Sequence, residues 1–381
     1  MAGILSLNRE RSVAVIDIGS GYVWCAFMHV PQKGLSRIFA SGYSTLSLEE
    51  RTPEQAVGRV TEEIAEAVKR TRASLPLVLS SAAPDRVYVV LHAPWTSSKI
   101  LTGRRDFPGE IRVHASHIAS IAQQSLTAES LDRQKLLEAG VLSVRLNGYP
   151  TNRPEGKYAR SLDVVSIASA CDRALKANIT TALEASLPST AMHWRSAERV
   201  TASVLLRGND SQNAVVVNVG VLASSVTVLR DGIPTDQHVV QEGVRSILAR
   251  VHGARPPEET LGLFRMLERD ACADDACLAL QKAIALAEPE LVRVFGEVFS
   301  ACAHERKLPN NLILIAHQDL LSWLGMFLAR IDFTQFTVTA MPFNVTQLDA
   351  GHMDTWVRAE TPVNPMLALD CAYAAIEEQS T

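Results

Sequence analysis

The chain has no apolar run approaching the ~20 residues that a membrane-spanning helix needs, which argues against spanning helices anywhere in its 381 residues. Its first residues hold Arg9 and Arg11 with no sufficient apolar segment before them, so no signal peptide is expected. There is no basic excess. Thirty-seven Lys and Arg stand against 41 Asp and Glu, a net charge of −4. That balance argues against a nucleic-acid partner, whose binders usually carry a basic footprint. Cysteine is sparse, with six residues scattered at 25, 171, 272, 277, 302 and 371. Cys272 and Cys277 are separated by ADDA rather than by the spacing of a CxxC pair, and no histidine cluster completes a zinc site. Cys25 and Cys171 lie in apolar runs and read as buried thiols, for which a reducing cytoplasm is the simplest setting. No Gly-x-Ser-x-Gly elbow supports hydrolase chemistry. The acidic patch Asp270, Asp274, Asp275 lacks the spacing and glycine of a calcium loop and reads as a solvated connection.

Two stretches of the same design are present instead. In Ser12–Met28, the β-branched Val13, Val15 and Ile16 suit a buried strand, and Asp17 stands at its end. Gly19-Ser20-Gly21 turns the chain, and Tyr22–Phe27 returns as a second strand. A glycine turn lets backbone amides approach an anion closely. Asp17 is then placed for a metal ion beside that anion. The same residues also describe an ordinary hairpin with a glycine turn and a capping aspartate. About 200 residues later the pattern recurs in Asn213–Gly232. Val215–Val217 forms a strand, Asn218-Val219-Gly220 takes the place of Asp17-Ile18-Gly19, and Ser225–Leu229 returns.

Other segments fill in an α/β chain. Thr52 and Pro53 open an amphipathic helix over Glu54–Ser74, with Val57, Val60, Ile64 and Val68 on one stripe. Asp85–Ala93 reads as a strand with Lys99–Gly103 as its partner across a turn at Pro94–Ser98. Ile111–Val113 is a short strand, His114–Gln124 a helix, and Gly140–Arg145 and Leu162–Ala170 are further strands. Helices follow over Asp172–Ser186, Glu198–Leu206 (before a turn at Asn209-Asp210), Arg245–Val251, Glu258–Glu268 and Leu278–Phe299. Asn311–Ala316 and Val338–Met341 read as strands, Leu320–Ala329 as a helix, and Asn364-Pro365 as the start of the last helix.

The paired hairpins resemble the duplicated core of the actin-like ATPases, in which two such turns clamp nucleotide phosphates from opposite sides of a cleft. The order of elements over 85–168, with VYVVL, IRV, the phrase LNGYPTNRPEGK and LDVVSI, resembles the insert of the FtsA family of bacterial division proteins. The PilM family of type IV pilus platform proteins carries a related insert. The resemblance implies a duplicated actin-like (ribonuclease H-like) core of two domains around a cleft, with a small inserted α+β subdomain in the first. The implied boundaries are 1–84 and 169–210 for the first domain, 85–168 for the insert and 211–381 for the second domain, with a helix-rich part at 252–305. It also implies ATP and Mg2+ as cofactors, with Asp17 toward the metal and Gly19, Ser20, Gly21, Asn218, Gly220, Ser224, Gly243 and His317 around the nucleotide. Glu198 is the nearest candidate for a side chain that orients the attacking water, against the general rule that a glutamate stays solvated.

Departures from the family pattern weaken that chemistry. Asn218 replaces an acidic residue, Leu222 and Ala223 stand where Gly and Thr are usual, and Ala316-His317 replaces a Gly-Gly turn against the adenosine. Each loss costs on the order of 1–3 kcal/mol, by analogy with an unpaired polar contact. Weak or absent ATPase activity is the expectation. The leading reading is an FtsA-like scaffold that binds a filament-forming division protein or a membrane-anchored assembly protein, with self-association a further option. It would be cytoplasmic, reaching the inner membrane through a partner, because the acidic ending ALDCAYAAIEEQST has no basic amphipathic face. The alternatives are a PilM-like pilus platform protein and a small-metabolite kinase of the same superfamily.

Overall fold

The computed structural model describes residues 11–48, 53–75, 83–129, 132, 134–208, 212–269, 271 and 275–380. The residues before Arg11, the expected cap at Thr52, the turn at Asn209-Asp210, and Asp270, Cys272 and Asp274 lie outside these.

The chain opens with β1 (Arg11–Ile18), β2 (Tyr22–Val30) and β3 (Ser36–Thr45), then α1 (Pro53–Ala73) and β4 (Arg86–Leu91). Next come β5 (Thr96–Arg112), α2 (Ala115–Ala128), β6 (Leu136–Leu146), β7 (Tyr149–Pro150) and β8 (Tyr158–Cys171), followed by α3 (Arg173–Ser186), β9 (Ala191–Ser196) and α4 (Ala197–Leu205). The second half carries β10 (Ala214–Val219), β11 (Ser224–Arg230), β12 (Ile233–Val240), α5 (Val244–Val251), α6 (Pro257–Glu268) and α7 (Asp275–Cys302). It ends with β13 (Asn311–Ile315), α8 (Gln318–Arg330), β14 (Asn344–Gln347), β15 (Val357–Ala359) and α9 (Pro365–Ser380).

By packing, these elements form two units: Met1–Leu91 with Ala174–Val204 and Leu348–Thr381, and His92–Arg173 with Leu205–Gln347. The sheet of the first unit has the order β15-β3-β2-β1-β4-β9. β1 is antiparallel to β2 and parallel to β4, which is parallel to β9. With strands on both sides, Val13–Ile16 is an unbroken buried run, as sheets covered on both faces require. Val60, Ile64, Ala67 and Val68 form the buried stripe of α1, which packs on β2 and β3. The last helix, α9, packs on β1 and β2 and is buried along most of its length. The sequence reading placed 348–381 with the second domain; this packing puts it in the first unit.

A sheet in the second unit repeats the pattern, with the order β12-β11-β10-β13-β14. Here β10 is antiparallel to β11 and parallel to β13, and β13 is parallel to β14. An antiparallel three-strand meander followed by two parallel strands therefore occurs twice. The inserted region forms a further sheet, β5-β8-β6-β7, also in the second unit. α2 covers it over a small core of Val113, Ile121, Val144, Leu146, Leu162 and Val164. β5 also packs against β12.

Several expectations are corrected. Lys99–Gly103 pairs not with β4 but with Val164–Ala168 of β8, inside the long strand β5 that also absorbs Ile111-Arg112. The turn before it covers Ala93–Trp95, and Thr96–Ser98 is already strand. Val338–Met341 is not a strand. Ala340 has a φ of +51°, which breaks extended backbone, and Asn310 holds the loop by donating to the Met341 carbonyl (2.9 Å). The strand lies just beyond, at β14. Cys25, Cys171, Cys302 and Cys371 are buried thiols. Cys277 is disulfide-bonded.

Candidate functional site

In the first unit the β1–β2 hairpin closes through Gly19, whose N–H donates to the Tyr22 carbonyl (3.0 Å). Asp17 sits opposite Trp24 of β2 and Val90 of β4, in the middle of the sheet, and is fully buried. Gly19, Ser20 and Gly21 follow it after Ile18, as the sequence predicts. The space above Gly19 is filled from within: a Cβ there would lie 2.5 Å from Cζ of Tyr22. The Tyr22 hydroxyl is pushed well above its ordinary pKa by burial, with Asp17 and Asp370 adding to the effect.

Asp370 was not legible as a site residue. It is the one acid in the apolar run of α9 from Met366 to Ile376, and it is fully buried. Burial, and then the neighbouring Asp17, raise its carboxyl well above the usual carboxylate range. One carboxylate oxygen of each aspartate lies within 4.8 Å of the other. Glu198, in the first turn of α4, is 4% exposed, so the expectation of a solvated glutamate does not hold. An acid suits that first turn because the helix N-terminus carries partial positive charge.

The second unit's hairpin turns at Gly220, whose N–H donates to the Ala223 carbonyl (3.0 Å). Asn218 stands where Asp17 stands in the first hairpin, and its amide contacts Nδ1 of His92 (3.2 Å). A neutral amide is therefore spent on a histidine ring. Ser224 Oγ donates to the Glu242 carbonyl (2.6 Å), and Glu242 is held by both guanidinium nitrogens of Arg250 (2.8 and 2.9 Å). The opening amides of α5 turn inward: Val244 N–H donates to the Gly220 carbonyl (2.9 Å) and Arg245 N–H to that of Val221 (3.0 Å). These donors, which at a helix start are free to take an anion, are satisfied by the turn itself.

Gly243 makes this approach feasible. A Cβ at that position would lie 2.5 Å from the Val221 carbonyl oxygen and 2.7 Å from that of Gly220. Both contacts are backbone, so no rotamer relieves them. Gly243→Ala is expected to destabilise the protein by about 1–3 kcal/mol, the range for overpacking, read as a lower urea midpoint. An unchanged midpoint would refute the tight approach.

His317 caps α8, its Nδ1 accepting from the Asp319 N–H (3.3 Å). Asp319 receives a two-pronged contact from Arg265 (2.8 and 2.7 Å), which holds its carboxyl below its ordinary value. His317 and Asp319 are thus both tied to the start of the helix. The sequence-predicted residues fall into two sets, Asp17–Gly21 with Glu198 in one unit and Asn218, Gly220, Ser224, Gly243 and His317 in the other. For Mg2+, the buried oxygen donors beside the first turn have the right chemistry.

No family model and no curated protein sequence matches the chain. Among solved structures it is similar to the PilM-PilN type IV pilus biogenesis complex, with a TM-score of 0.58 at 13% identity over 96% of this chain and 98% of that one. It is also similar to the ethanolamine utilization protein EutJ from Carboxydothermus hydrogenoformans (TM-score 0.46, 11% identity, 96% of this chain and 89% of that one). A Bacteroides thetaiotaomicron protein with actin-like ATPase fold matches at a TM-score of 0.39 and 10% identity, over 97% and 99% of the two chains. With the strand order repeated in its two units and the PilM match running over nearly its full length, the chain has the actin-like ATPase fold.

Proposed function

We propose that the protein is a PilM-type scaffold, an actin-fold platform that binds a membrane-anchored assembly protein of PilN type and turns over nucleotide weakly or not at all. The supporting observation is the end-to-end match to the chain of the PilM-PilN complex, 96% of one and 98% of the other. The division-protein reading has no comparable support among these neighbours. No helix among the described residues is long and apolar enough to cross a membrane, so attachment would go through the partner.

The state of the hairpins supports the low-turnover part. Phosphoryl transfer depends on positioned metal and free phosphate donors. In this chain Tyr22 covers the first turn, and the α5 amides are taken by the second. If ATP and Mg2+ bind, Asp17, Gly19, Ser20 and Gly21 would meet them in one unit, and Asn218, Gly220, Ser224, Gly243 and His317 in the other. Glu198 would be the candidate for orienting water. A metabolite kinase would need those donors to be open.

The test is co-purification of the full chain with the cytoplasmic segment of a PilN-type protein from the same cell. A stable complex on gel filtration, with ATP hydrolysis no faster than the buffer blank, is the expected result. Absence of a complex at micromolar concentrations, or turnover of many ATP per minute, would sink the reading.

A further inference from the structure

α9 carries two buried acids that are treated in opposite ways. The Glu378 side chain accepts from Arg11, from Arg86 (2.9 Å) and from the Tyr88 hydroxyl (2.8 Å), all within the first unit. Asp370, two turns earlier on the helix, is equally buried, yet neither of its oxygens has a hydrogen-bond partner among the described residues. A buried carboxylate without a donor or counter-charge is costly. A second carboxylate nearby makes it worse: Asp17, fully buried in β1, places an oxygen within 4.8 Å of one on Asp370. Two carboxylates at such a distance are reconciled either by a proton or by a cation.

We propose that Asp17 and Asp370 bind one divalent cation inside the first unit, with Asp370 as a direct ligand supplied by the last helix. Oxygens less than 4.8 Å apart can reach one ion. Hard divalent ions bind oxygen at about 2.1 Å for Mg2+ and 2.3–2.6 Å for Ca2+, so two ligands on opposite sides of an ion stand about 4.2–5 Å apart. The two carboxylates suit a hard divalent ion such as Mg2+, Mn2+ or Ca2+. The site requires no nucleotide, because both carboxylates belong to the protein. It also gives the lone acid of an otherwise apolar segment a role that packing does not. The proposal is independent of the scaffold reading, since a partner can dock whether or not the ion is present.

The full chain, stripped with EDTA and dialysed, is incubated with MnCl2 alone and measured by electron paramagnetic resonance for bound Mn2+ and by thermal denaturation. Expected are one Mn2+ per chain and a melting temperature that climbs with Mn2+ concentration, as linkage requires. Asp370→Asn keeps the side chain's shape and should still fold, but Mn2+ affinity should fall by more than about 100-fold, beyond the roughly 10–100-fold that a lost outer-shell partner costs. Asp17→Asn should do the same. A wild-type protein that takes up no Mn2+ would show that the pair shares a proton instead and would overturn the proposal. So would an Asp370→Asn variant that retains full Mn2+ binding.

Discussion

Glu378→Ala is expected to lower the stability of the protein by about 3–5 kcal/mol, the cost of breaking a buried ion pair by removing one partner. The Glu378 side chain is fully buried, and its partners come from β1 and β4: Arg11, Arg86 and Tyr88. Truncation leaves two guanidinium groups and a buried phenol facing an empty space. The wild-type pH dependence gives the same interaction a second signature. Burial by itself would push the Glu378 carboxyl up, but the bonds from Arg11, Tyr88 and Arg86 more than offset this and hold it below its ordinary value. For an acid whose pKa is lowered by folding, the contribution is complete above the unfolded value of about 4.3 and fades as pH falls through the folded one. The gap between wild type and Glu378→Ala in urea midpoint should therefore be constant from pH 7 to 5 and narrow below about pH 4. A gap that does not narrow on acidification would disprove the ionic account.

Phe299→Ala is the other large effect, at about 3–5 kcal/mol for a buried phenylalanine replaced by alanine. Phe299 lies in α7 with no exposed surface. Its ring meets Phe333 edge-on (centroids 5.0 Å apart), Phe343 at 5.1 Å and Phe295 at 6.3 Å. Phe333 and Phe343 belong to the irregular segment after α8, so this cluster ties that segment to the helical part of the second unit. Truncation should lower the midpoint and also raise hydrogen exchange over 331–343. Destabilisation without added exchange there would show that the cluster does not anchor the segment.

The sequence was informative where two signals agreed. The Asp17 and Asn218 hairpins combined valine-rich strands with glycine turns, and both stand where expected, as do α9 after Asn364-Pro365 and α1, whose buried stripe keeps Val60, Ile64 and Val68 but takes Ala67 in place of the half-buried Val57. It was silent where strands sit at or near sheet edges. β9 (AMHWRS) and β12 (IPTDQHVV) border their sheets, and β3 shows only a short apolar alternation, so polar residues hide the period. Val338–Met341 misled because a four-residue apolar run carries no period of its own, and the left-handed Ala340 decides the outcome. At the site, Asp17 was visible from its own neighbours. Asp370 was not, since only the packing of α9 on β1 brings it within reach. The closing of the turns by Tyr22 and by the α5 amides is likewise a matter of three-dimensional approach, of which Gly243 was the one trace in the sequence.

The first unit is assembled from three separate stretches of the chain, and α9, from the last of them, lies on β1 and β2 from the first. During synthesis the first four strands, made by Leu91, must wait for Leu348–Thr381 before α9 can cover β1 and β2. At ribosomal speeds of 5–20 residues per second, that interval is roughly 13–50 s. Over that period the apolar residues of β1 and β2 that α9 covers stay open, and the last helix acts as the latch that closes over them.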